Sequence, residues 1–167
     1  MDILAEHAEG EERRRKLKAY YLGKNAVLSR TRPAGLPNNR TAHAFARYIV
    51  TVTGGYLIGS GISYKAPEED KAALSALMEL YREGDIPSVD VENARNAAIF
   101  GKGVELICLP EDGFLPRVYA LSPENAFVVY EDDIRHRPLL GVYVSGDREG
   151  RTKVMVFTDS AVREYEL

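Results

Sequence analysis

The hydrophobic period changes once along this chain of 167 residues, and the change falls at Gly103. Before Gly103, apolar side chains recur at three- and four-residue steps, which places them on one side of a helix. After it come short, β-branched and aromatic runs separated by Asp, Pro or Gly, the pattern of strands joined by tight turns. Helices gathered at the front and consecutive short strands behind predict an α+β fold, with N-terminal helices packed on a mainly antiparallel sheet. A doubly wound parallel sheet would need the two patterns to alternate, and they do not.

Residues 1 to 10 are polar and expected to fray. A first helix is expected over Glu11–Leu22, closed by Gly23. Pro33, Gly35 and Pro37 mark Asn25 to Asn39 as an extended loop. Asn38 or Asn39 is the expected cap of a second helix from about Arg40 to Leu57, with Ala42, Phe45, Ala46, Ile49, Val52, Thr53 and Tyr56 as one apolar stripe. A third helix is predicted over Glu68 to Glu83, striped by Ala72, Leu74, Leu77, Met78 and Tyr81. A fourth runs from about Val89 to Gly101, capped by Ser88 and kept slim by Ala94, Ala97 and Ala98. The strands are read as Val104 to Leu109, Phe114 to Ala120, Asn125 to Tyr130, Leu139 to Val144 and Lys153 to Phe157. Pro110-Glu111-Asp112-Gly113 turns the first pair into a hairpin, and Ser145 to Gly150 turns the last. Val162 to Leu167 reads as a strand just beginning, which suggests that the chain continues in a longer protein.

Charge is distributed unevenly. Residues 1 to 47 carry a net +5 and the remainder a net −8, giving −3 overall. Such a split suits a basic arm for nucleic acid or two surfaces that dock on each other. The run Arg13-Arg14-Arg15-Lys16-Leu17-Lys18 supplies the charge a DNA backbone attracts, but lacks the interleaved aromatics that stack on single strands. Both readings are open: a subunit-contacting or solvated face, and a small DNA-binding protein that uses this basic helix.

Motifs for chemistry are sparse. The glycines at 54, 55, 59 and 61 follow a helix, whereas a phosphate loop lies between a strand and the helix it opens, and no Gly-Lys-Ser/Thr triplet occurs. Glu131-Asp132-Asp133 sits between strands, and Glu68-Glu69-Asp70 sits at a helix start, where the dipole favours negative charge. His7, His43 and His136 lack ligand spacing, and Cys108 stands alone within the apolar run Val104 to Leu109 as a small hydrophobe. No catalytic residue, cofactor or metal is expected; an enzyme reading requires a fold that brings the scattered carboxylates together. No apolar run approaches the ~20 residues of a membrane span and no signal peptide opens the chain, so cytoplasm-like conditions are expected.

One ordered series is more specific. Tyr20-Tyr21-Leu22-Gly23-Lys24-Asn25 precedes Pro37-Asn38-Asn39-Arg40, then His43, Phe45 and Ala46-Arg47-Tyr48-Ile49-Val50. Gly55-Tyr56-Leu57-Ile58-Gly59 and Ile62-Ser63-Tyr64 come next, followed by Asn96-Ala97-Ala98-Ile99-Phe100-Gly101. Leu121 to Tyr130 and Arg137-Pro138-Leu139-Leu140-Gly141-Val142 complete it. The series, from about residue 20 to 145, resembles the N-terminal part of portal proteins of tailed bacteriophages, of the siphophage type found in prophages of Gram-positive bacteria. It departs at Thr51, where an acidic residue is expected, and weakens after Gly146.

The resemblance implies a structural subunit without catalysis. Portals form a ring, twelve-fold in the virion, at one capsid vertex, through which double-stranded DNA is packaged and ejected. It implies terminase, head-tail adaptor, scaffold and capsid proteins as partners, no membrane, and synthesis in the host cytoplasm. Portal proteins are much longer than this chain, so an outer wing portion is expected, without stem, clip and crown. It divides into an N-terminal helix and arm (residues 1–24) and a wing-like body (residues 25–167). The candidates for the subunit interface are Arg13, Arg14, Arg15, Asn38, Asn39, Arg40, His43 and Arg47, with the basic face of one copy meeting the acidic remainder of the next head to tail.

Overall fold

A computed structural model describes residues 3–109, 115–146 and 150–167. The architecture is α+β, as the change of period predicts. Five α-helices lead: α1 (Ile3–Glu9), α2 (Glu11–Tyr21), α3 (Phe45–Ile58), α4 (Lys71–Glu83) and α5 (Ile86–Phe100). Six described strands follow: β1 (Val104–Cys108), β2 (Arg117–Leu121), β3 (Ala126–Tyr130), β4 (Pro138–Gly146), β5 (Thr152–Phe157) and β6 (Val162–Glu166).

All pairings are antiparallel, but in two sheets rather than one. β1 and β2 form a ribbon, and β3-β4-β5-β6 a four-stranded meander. The turn expected at 110–113 lies outside the described residues, as does most of the turn between β4 and β5. Val162 to Glu166 forms a strand of the meander, paired with Lys153 to Phe157.

The register explains the core. Phe127 sits opposite Val142, Val142 opposite Val156, and Val144 opposite Val154, so these side chains share one face of the meander. Phe127, Val142 and Val154 are buried there, with Val129, Leu140, Val144 and Val156 around them. The cover comes from an unexpected place. Residues 1 to 10, predicted to fray, contain α1, and Ile3 and Leu4 pack against this cluster.

Polar contacts lock α1 down. The His7 ring stacks on Phe127 with centroids 4.1 Å apart and planes 11° from parallel. Its Nε2–H donates to the carbonyl of Glu124 at 3.1 Å, Arg14 of α2 donates to the His7 carbonyl at 2.7 Å, and Lys18 pairs with the Glu124 carboxylate. The turn between β2 and β3 thus holds both N-terminal helices. Burial, the dominant effect, and repulsion from Arg14 and Lys102 push the His7 pKa below its usual value, outweighing the Glu124 bond and Glu11, which act the other way. The unfolded chain therefore takes up the proton more readily. Stability is complete above about pH 6.5 and is lost as pH falls through the depressed value. Urea unfolding at about pH 7.5 and 5 should show this loss, and His7→Gln should flatten it.

α2 ends as Gly23 predicts. Gly23 adopts φ 75°, its N–H bonds the Tyr20 carbonyl at 3.0 Å, and the Lys24 N–H bonds Ala19 at 2.8 Å, a Schellman closure. α3 starts at Phe45, five residues later than expected, with Ala44 rather than Asn38 or Asn39 before it and no side-chain cap. Asn38 is occupied elsewhere. Its amide oxygen accepts from Nε and Nη2 of Arg40 at 3.2 and 3.0 Å. The third predicted helix begins as a 3₁₀ turn, Glu68–Asp70, and is α-helical from Lys71. α5 starts at Ile86, three residues before the expected Val89, because Pro87 suits a first turn and Asp85 (φ 49°) breaks the chain direction ahead of it.

α5 is the hub, packing on α2, α3, α4 and β2. Its Asn96, 6% exposed, donates to the carbonyl of Leu121 at 3.4 Å and joins the helical layer to β2. No described helix is long and apolar enough to cross a membrane.

Candidate assembly surface

α3 carries the most unusual surface. Its sequence, FARYIVTVTGGYLI, is apolar on nearly every side, yet the helix has no buried residue. A helix apolar all round belongs in an interior. Ala46, Val50, Gly54 and Ile58, spaced four apart, are its half-buried positions, turned toward α5.

The large residues therefore point away. Phe45 and Tyr48 are 67% exposed, Leu57 70% and Tyr56 95%, with Ile49 and Val52 more than half exposed. Four members of the predicted apolar stripe (Phe45, Ile49, Val52 and Tyr56) thus lie on the solvent side. Ile62, just past the helix, extends the patch. Monomeric proteins rarely show so continuous an apolar surface, and such patches mark contact sites.

The whole chain repeats the message. A compact monomer of 18.6 kDa exposes about 8200 Å². This chain exposes 12871 Å², roughly half as much again on that scale. The excess of about 4600 Å² surpasses what two standard interfaces remove from one subunit, about 800 Å² each.

The eight interface candidates are not one patch of free cations. Arg13 projects from α2 into solvent, whereas Arg14 turns inward to the His7 carbonyl and Arg15 pairs with Glu11 one turn back at 2.5 Å. Asn38 and Arg40 hold each other, and Asn39 is exposed beside them. His43 is exposed, with its ring 5.5 Å from that of Phe45, and its carbonyl accepts from Asn25 Nδ2 at 3.3 Å. Arg47 places its guanidinium 5.5 Å from the centre of the Tyr21 ring, linking α3 to α2. Asn39, Arg40 and His43 border the apolar patch in sequence. The patch itself was missed, because an apolar stripe is ordinarily a buried one.

The titratable groups have structural employment. Glu131 accepts from Arg137 at 3.0 and 3.3 Å, Asp133 caps a turn by accepting from the N–H groups of Arg135 and His136, and Glu68 pairs with Lys71. Cys108 is half-buried on β1. Among the described residues no three His, Cys, Asp or Glu side chains gather as metal ligands.

No curated protein matches the chain. A family model described as phage portal protein, SPP1 Gp6-like, matches residues 2–167, beyond both ends of the ordered motif series. An α+β subunit with an unpartnered apolar helix and excess surface fits that description, and the chain belongs to the SPP1 Gp6-like phage portal protein family.

Proposed function

We propose that this chain is the wing portion of a portal subunit, a non-catalytic element of the ring at the capsid vertex through which double-stranded DNA is packaged and ejected. The observation that carries the reading is the exposed apolar face of α3, which an isolated chain leaves in water at large cost and a neighbouring copy removes from it. Residues 1–24 act as an arm held on the wing-like body of residues 25–167 by His7 and Lys18. The ring is twelve-fold in the full-length protein, with terminase, head-tail adaptor, scaffold and capsid proteins as its partners. It is made in the host cytoplasm, in a phage or prophage setting.

Arg13, Arg14, Arg15, Asn38, Asn39, Arg40, His43 and Arg47 are proposed to border the subunit contact. Within the block Arg13-Arg14-Arg15, Arg13 and Arg15 are the ones whose charges can be reversed without touching the α1 clamp. Arg13→Glu with Arg15→Glu should slow ring assembly of the full-length protein several-fold at low salt and less at high salt. Light scattering during assembly measures it, and an unchanged rate at both salt levels removes the charge pairing from the proposal.

Electron microscopy of the full-length protein tests the reading as a whole. A closed ring with residues 45–62 between subunits is the expected image; a monomer, or a ring with this face in solvent, overturns it. Duplex binding by α2 draws less support, since Arg14, Arg15 and Lys18 already have partners within the chain. A salt-titrated duplex assay separates the two readings, because a true binder loses affinity steeply as salt rises.

A further inference from the structure

A cleft of about 550 Å³ opens between α1 and β3, away from the α3 face. His7 of α1, Arg14 of α2 and Lys102 from the loop after α5 line it, with Phe127 as its apolar wall. Three side chains that are or can become cationic therefore meet in one place. Among the described residues, Arg14 and Lys102 have no carboxylate partner. Arg14 gives an Nη2 hydrogen to the His7 carbonyl, which leaves its Nε–H shielded from water with no acceptor.

The acidic residues around the cleft do not neutralise this cluster. Glu131 is held by both arms of Arg137, and Glu6 and Asp132 are exposed on the rim together with His136. Arg14 acts on both His7 and Lys102, and with partial loss of water, the larger effect, it holds each below its ordinary pKa. Packed like charges are a state that an anion relieves.

We infer that His7, Arg14 and Lys102 form a binding site for a single oxyanion, a carboxylate or a phosphate group. Arg14 supplies a fixed guanidinium charge in the wall, Lys102 a mobile ammonium at the mouth, and His7 a third positive charge once protonated.

Titrating this chain with inorganic phosphate and, separately, with acetate, while following the His7 imidazole by NMR, tests the site. Sodium chloride at matched ionic strength is the control. One probe or both should shift the His7 signals saturably and raise its pKa, and chloride should not. Lys102→Gln, a surface change that leaves the fold intact, should weaken that binding about tenfold. A response to phosphate alone identifies a phosphate group, and a response that includes acetate identifies a carboxylate as sufficient. No response beyond the chloride control, or equal binding by Lys102→Gln, overturns the inference.

Discussion

Full-length protein carrying Phe45→Asp, Tyr56→Asp and Leu57→Asp should fail to close rings, with its subunit affinity reduced at least about a hundredfold. All three side chains stand mainly in solvent in the single chain, so each change alters a surface and leaves no cavity. Surface substitutions of this kind usually stay within about 0.5 kcal/mol of parent stability. At an interface the same carboxylates lose water and meet apolar neighbours, and each costs several kcal/mol. Urea unfolding of this chain should therefore be nearly unchanged while sedimentation of the full-length protein shows monomers. If another part of the same polypeptide covers α3, the full-length variant instead loses stability. Rings as abundant and as stable as the parent's would remove α3 from the assembly surface altogether.

That surface was hidden in the sequence by its own hydrophobicity. In α3 both the outward set (Phe45, Ile49, Val52, Tyr56) and the inward set (Ala46, Val50, Gly54, Ile58) satisfy helical spacing. Periodicity cannot choose between them when nearly every position is apolar. Contact with α5 decides, since Ala46, Val50, Gly54 and Ile58 are the half-buried positions of the helix. The large residues are left outside.

Elements closed by local chemistry were legible. Gly23 ends α2 at the predicted turn, and the strands from Val104 to Phe157 fall within three residues of their expected limits because Asp, Pro and Gly punctuate them. α1 was not legible, for Ile3 and Leu4 are too few apolar residues to show a period. Its stability comes from Phe127 and Glu124, more than a hundred residues away. The second helix started late for the opposite reason. Asn38 and Asn39 look like caps locally, but Arg40 engages the Asn38 amide in the folded chain. Among the candidate interface residues, the block Arg13-Arg14-Arg15 reads as uniform charge. Only the fold separates an outward cation, an inward clamp and an i,i+4 pair.

The dependence of α1 on Phe127 sets the largest expected stability effect. Phe127→Ala should cost about 3–5 kcal/mol, the range for removing a buried aromatic side chain. That is a large share of the roughly 5–15 kcal/mol that a domain of this kind possesses. Phe127 is 8% exposed and belongs to the cluster with Val142 and Val154 that Ile3 and Leu4 cover. It also forms the stacking surface for His7, so its loss loosens the only helix over this face among the described residues. Two readouts separate that account from simple cavity formation. A double-mutant cycle with His7→Ala should give a coupling of about 0.5–1.5 kcal/mol, and in Phe127→Ala the His7 pKa should rise toward about 6.5 as water reaches the ring. Ile134, fully exposed in the loop before β4, supplies the control; Ile134→Ala should stay within about 0.5 kcal/mol of the parent. A cost for Phe127→Ala no greater than that control would mean that α1 and the meander do not share a core.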